Sequence, residues 1–180
     1  MAAADAFASR GFDGASLVDI ASAAGVTTGA VYSHFRGKPE LLLTVMTSTL
    51  ESVHPLRQAD PHVTPAYLHE WVRWLSAPEQ VNLRALIAEI FHAALRDPEV
   101  RGLLGCYGRR YGAMIADMVA SWQRTGAVAA DRDPRTVAQL FLTQALGLCT
   151  TGAFQPELLA NRRYAQLVDQ QLAAMLGEQG

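Results

Sequence analysis

Charge is scarce in this chain: 15 Lys and Arg and 17 Asp and Glu make up 18% of 180 residues, for a formal net charge of −2. That scarcity excludes a generic nucleic-acid coat held by bulk positive charge, but not a specific reader that works through hydroxyls and backbone groups. Cysteine is nearly absent. Cys106 and Cys149 stand far apart without metal-like spacing, which predicts two buried small hydrophobes rather than a disulfide or a nucleophile. Long apolar runs are lacking too, since charges break the hydrophobic groups short of the roughly 20 residues that span a bilayer. The opening MAAADAFASR has no basic lead-in, and Asp5 and Arg10 interrupt it, so it does not read as a signal peptide and a cytoplasmic protein is expected. There is no internal repeat, no low-complexity tract and no sustained alternation of β-branched residues.

What remains is rich in core material. Half of the residues are hydrophobic, and apolar positions recur at three and four throughout, the period of an all-α protein. Breakers at Gly11, Gly25, Gly37, the HPLRQADPHVTP stretch, Pro78, RDP at 96–98, RTGAVAADRDP and Pro156 cut the chain into about nine helices. The early ones are short and the later ones long. The pattern predicts a small head over residues 1–48 and a larger helical body over 49–180.

Within the head, Ser16-Leu17-Val18-Asp19 fits a capping box, and Leu17, Ile20, Ala21 and Ala24 form one apolar face of a two-turn helix. Gly25 falls where a left-handed residue ends that helix, Val26 plugs the corner, and Thr27 caps a second short helix. Val26, Val31 and Phe35 are expected inside with Phe7 and Phe12, while Thr28, Gly29, Tyr32 and Ser33 face outward. Helix, tight turn and helix suit a probe for the DNA major groove, with the second helix against base edges. Spacing alone fits an ordinary helical hairpin with a solvated face equally well.

The run GFDGASLVDIASAAGVTTGAVYSHFRGKPELLLTVM, Gly11 to Met46, resembles the DNA-binding head of the tetracycline-repressor (TetR) family of bacterial transcriptional regulators. Gly11-Phe12, Ser16, Ile20-Ala21, Ala24-Gly25-Val26, Gly29, Tyr32, His34-Phe35, Lys38 and Leu41-Leu42 carry the likeness. It implies that Ser16, Thr27, Tyr32, His34 and Lys38 hold phosphates, and that Val18, Thr28, Gly29, Ala30 and Ser33 lie at or near base edges. The family pattern usually has another turn of helix, often with a basic residue, before the position of Met1; these residues are not in this sequence. The head's only cations are Arg10, Arg36 and Lys38, against Asp5, Asp13, Asp19 and Glu40, so its electrostatic grip is expected to be modest.

For the body, Val100, Leu104, Tyr107, Tyr111, Met114 and Met118 share one helical face. Such a stripe is ordinary core material, but the resemblance implies a ligand cavity there, built from Trp71, Phe91, Tyr107, Tyr111, Met114 and Gln144, with Trp74, Leu86 and Phe141 nearby. Aromatics with few charges fit a small apolar or aromatic effector. Arg110 could serve an anionic group or simply face solvent. Two final helices, about 134–152 and 156–176, resemble the family's dimerisation pair. Ala138 and Ala145, with Gly147 and Thr150, allow close approach on one; Leu167 and Leu172, with Val168 and Met175, form a stripe on the other. The resulting expectation is a homodimeric repressor, without cofactor, metal or membrane, that leaves a palindromic double-stranded operator when a small molecule binds. Two rivals remain: a DNA-binding regulator whose body only dimerises or binds a protein, and a di-iron carboxylate bundle built on Glu51/His54 and Glu89/His92. His69-Glu70 is not a zinc-protease motif, because Arg73 stands where the second histidine belongs.

Overall fold

The computed structural model describes residues 2–53 and 63–178, the side chains of 51–53 excepted. Among these residues there are ten α-helices, one short 3-10 helix at Pro78–Gln80, and no strand. The helices are α1 (Ala2–Gly14), α2 (Leu17–Ala23), α3 (Thr28–His34), α4 (Lys38–Val53), α5 (Ala66–Ser76), α6 (Val81–Arg96), α7 (Pro98–Arg124), α8 (Pro134–Phe154), α9 (Pro156–Leu159) and α10 (Arg162–Leu176). The chain forms two compact units, Met1–Pro55 with Asn82–Tyr107, and Leu56–Val81 with Gly108–Gly180. The first contains α1 to α4 together with most of α6 and the start of α7.

In the first unit α1 packs on α4 and α2, and α2 on α3. Phe7, Phe12, Ile20, Ala21, Val31, Leu42 and Met46 are buried, the large ones stabilising by about 1.5–3 kcal/mol each. Phe7 and Phe12 stack at 6.4 Å. The α6–α7 corner is fixed by side chains: Asp97 Oδ1 accepts from the N–H groups of Glu99 and Val100, while Arg101 donates to the carbonyls of Ala94 and Leu95. Both ends of the corner thus have their unpaired backbone groups answered.

In the second unit α5 packs on α8, and α10 on α5, α8 and α9. Trp71, Leu75, Ile115, Val119, Phe141, Leu148 and Leu172 are buried there. Trp122 Nε1 donates to the Val63 carbonyl at 2.7 Å.

Several expectations need correction. Cys149 is buried but Cys106 is exposed, because it shares the outer face of α7 with Gly102, Arg109 and Ala113. Val26 is half exposed rather than buried: its contribution to the corner is its N–H, which bonds the Ala21 carbonyl. The last helix does not run from 156 to 176, since Asn161 Oδ1 caps a new start by accepting from Arg163 and Tyr164 N–H. By length and composition alone α8, whose one charged residue is Arg135, could cross a membrane, as could the core helix of a soluble protein; here Val137, Ala138, Phe141, Ala145, Leu148 and Cys149 are buried in its unit.

Candidate functional site

Helix α2 begins at Ser16, whose hydroxyl accepts from Val18 N–H at 3.2 Å. Only half of the expected capping box forms. Asp19 is one methylene shorter than the Glu or Gln that closes such a box, and it pairs instead with Arg10 at 3.2 Å. At the other end, Gly25 has φ 70°. The N–H groups of Gly25 and Val26 then return to the carbonyls of Ser22 and Ala21, the paired bonds of a Schellman stop. Thr27 caps α3 by accepting from Ala30 N–H at 3.1 Å.

This turn sets α3 with one side inward and the rest in water. Val31 is buried, Thr28 and Ala30 are half-buried, and Gly29, Tyr32, Ser33 and His34 are exposed. Tyr32 is 58% exposed and Val18, on α2, is 60% exposed. Ser33 Oγ donates to the Ala30 carbonyl, and the Thr27 and Ser16 hydroxyls, engaged as acceptors, retain a proton to donate. Lys38 is more constrained than the sequence suggests. Its ammonium donates to the carbonyls of Ala15 at 3.2 Å and Asp13 at 3.4 Å and lies 4.6 Å from the Phe12 ring centre.

The residues expected at a ligand divide between the units. Phe91 and Tyr107 lie half-buried in the first. Trp71, Tyr111, Met114 and Gln144 lie in the second. Trp71 is only 5% exposed, and its ring sits 5.4 Å from Phe141 and 6.3 Å from Trp74. Gln144 follows Phe141 by one helical turn. Trp71 Nε1 and Gln144 Nε2 are both buried without a hydrogen-bond partner among the described residues, so two donors lack acceptors beside an aromatic surface. Tyr111 is buried and Met114 half-buried on α7, while Arg110 faces solvent.

Of the residues expected at a dimer interface, Ala138, Ala145 and Leu172 are buried within their own unit. Leu167 is 63% exposed. Leu140 and Phe154, two heptads apart on α8, are exposed as well.

A polar cluster around the buried His69 escaped the sequence reading. His69 lies 2.6 Å from Asp169 and 3.2 Å from Glu178, with Arg73 3.5 Å from Asp169. Among the described residues no three His, Cys, Asp or Glu are arranged to hold a metal. Of the proposed di-iron ligands, the Glu51 side chain and His54 lie outside the described residues. His92 is exposed, and the Glu89 carboxylate accepts the backbone N–H of Phe12.

Comparison with known proteins matches residues 1–45 to the family described as bacterial regulatory proteins, tetR family, and residues 65–177 to the family described as BetI-type transcriptional repressor, C-terminal. The chain is 49% identical over 55 residues to the HTH-type transcriptional regulator SrpR of Pseudomonas putida, a stretch covering 31% of this chain and 24% of that protein. Among solved structures, GusR of Salmonella enterica aligns with a TM-score of 0.80 and 25% identity over 97% of this chain and 91% of its own. FadR from Bacillus subtilis in complex with stearoyl-CoA shares the fold, with a TM-score of 0.73 and 17% identity over 99% of this chain and 96% of its own.

Proposed function

Because the chain belongs to the TetR family of bacterial regulatory proteins, we propose that it is a homodimeric, sequence-specific DNA-binding regulator, a cytoplasmic repressor released from its operator by a small apolar or aromatic molecule. The observation that carries the DNA-reading half is α3 itself. Seven residues capped at Thr27 present Tyr32, Ser33 and His34 to water while Val31 anchors the other side. In this reading Ser16, Thr27, Tyr32, His34 and Lys38 position phosphates, and Val18, Thr28, Gly29, Ala30 and Ser33 meet base edges in the major groove. Lys38 acts through its remaining proton, since two carbonyls hold the other side of its ammonium.

Release rests on Trp71 and Gln144. A buried donor without an acceptor costs about 1–3 kcal/mol, which a ligand supplying acceptors would recover. The effector is accordingly an apolar or aromatic body carrying a carbonyl or similar acceptor, set against Trp71 and Phe141, with Tyr111 and Met114 contributing from α7. Dimerisation uses the outward sides of α8 and α10 through Leu140, Phe154 and Leu167. Two heads held about 34–36 Å apart, or a multiple, would meet successive major grooves of a palindromic operator, and the ligand would favour a state in which they do not.

The test pairs an aromatic ketone with its parent hydrocarbon. The ketone quenches or shifts tryptophan fluorescence and releases operator DNA; Gln144→Leu, which keeps most of the side-chain volume and removes the donor, weakens the ketone about tenfold while leaving the hydrocarbon little changed. Operator binding that no compound or cell extract shifts would make the body a dimerising or protein-binding module instead.

A further inference from the structure

Helix α1 is not continuous. At Gly11, φ 70° and ψ 176° break it into two segments, a conformation essentially confined to glycine. The break turns the Phe12 N–H out of the helical ladder, and the Glu89 carboxylate on α6 accepts it. Glu89 also fills the space a side chain would need: a Cβ at Gly11 would lie 3.1 Å from Glu89 Oε1. Two turns further along α6, Arg96 pairs with Asp13 at 3.1 Å. That second contact is largely solvated and contributes little by itself. Gly11, Phe12, Asp13, Glu89 and Arg96 all belong to the first compact unit. The end of α6 is in turn secured by Arg101, which holds the Ala94 and Leu95 carbonyls.

The geometry points to Glu89 as a positioning residue for DNA reading: its carboxylate fixes the reading head on α6 by holding the N–H that the Gly11 break releases. A charge-assisted bond is directional and about twice as strong as a neutral one, so it sets the angle at which α1, and with it α2 and α3, leaves α6. The head retains its own core of Phe7, Phe12, Ile20, Leu42 and Met46. Loss of Glu89 therefore loosens orientation without unfolding the head. This inference rests on the DNA-binding reading for its consequence, but the bond itself is measurable without DNA.

The experiment uses the full chain with Glu89→Ala and Glu89→Gln. Amide hydrogen exchange at Phe12 is measured first. Binding is then measured to duplexes carrying an operator recovered by selection from random sequences and to the same operator with one base pair inserted between its half-sites. Glu89→Ala is expected to speed Phe12 exchange about tenfold and to weaken the native operator by a similar factor, while the penalty for the inserted base pair shrinks because the heads are less firmly aimed. Glu89→Gln, which retains an acceptor oxygen, restores most of the spacing preference. A variant that merely destabilised the fold would weaken both duplexes equally, and that result would overturn the proposal. Unchanged Phe12 exchange in Glu89→Ala would overturn it as well, whatever the DNA data. If the wild-type protein bound no operator while Phe12 exchange still responded to Glu89, the DNA-binding reading would fail and the bond to α6 would stand as a fold contact only, refuting the positioning role.

Discussion

Asp169 Oδ1 lies 2.6 Å from Nδ1 of His69, joining α10 to α5 across 100 residues of chain. The imidazole is buried, and its second nitrogen meets the Glu178 carboxylate at 3.2 Å, so removing the ring deletes contacts to two charged groups at once. His69→Ala is expected to lower stability by about 1–3 kcal/mol, which for a chain of this size is roughly 2–4 °C in melting temperature per kcal/mol. Arg73→Ala, which removes an exposed partner of the same Asp169, should change melting by much less. Circular dichroism melts of the two variants check the order.

Most of the architecture was legible because helix stops are local chemistry. Gly25, Thr27, Asp133 and Pro134 each announce a boundary through the backbone group they satisfy or remove. Asn161 is the same chemistry, but nothing apolar breaks around it, and so the cap was passed over. The candidate DNA residues could be placed because α3 is too short to hide more than Val31 and its neighbours. The residues expected at a dimer interface could not be sorted in that way. Periodicity marks Ala138, Ala145, Leu172, Leu140 and Leu167 alike as apolar helix positions, and only packing decides that the first three are spent inside the unit. The bonds His69–Asp169 and Glu89–Phe12 were invisible for a related reason: they join residues 100 and 77 positions apart.

Asp133 caps α8, and its carboxyl is held below the ordinary carboxylate range, first by the Thr136 hydroxyl, then by the Thr136 N–H and the nearby Arg135 charge. A folded-state pKa below the unfolded value stabilises the native state above the unfolded pKa, and that stabilisation disappears as pH falls through the folded pKa. Asp133→Ala should therefore melt below wild type at neutral pH, with the gap narrowing below about pH 4. A gap that is constant with pH would assign the cap to hydrogen bonding independent of charge.

Salt dependence follows from how the head uses its cations. Arg10 pairs with Asp19 and Lys38 with backbone carbonyls. Even if Arg10, Arg36 and Lys38 all reach phosphates, a dimer neutralises about six, so log affinity against log salt should fall with a slope no steeper than about −5. A slope near −10 would mean that other basic residues also contact the DNA.

Assembly should depend on exposed apolar positions and not on buried ones. Leu167→Asp and Leu140→Asp are expected to leave folded chains that sediment as monomers and bind operator weakly, whereas Leu172→Asp, placed in the core, should unfold. A folded Leu167→Asp, Leu140→Asp double variant that remained dimeric would move the interface elsewhere.

If α3 reads DNA as one half of a two-fold pair, selection from random duplexes will reveal it. Repeated rounds with the wild-type protein should enrich an inverted repeat whose half-sites are about one helical turn, 34–36 Å, or a multiple apart. Tyr32→Ala should bind that sequence and unrelated ones more weakly alike, and Thr28→Ala or Ser33→Ala should alter the preferred bases by about 1–3 kcal/mol of discrimination. Recovery of no common sequence, or undiminished operator affinity in a folded Tyr32→Ala dimer, would contradict the account.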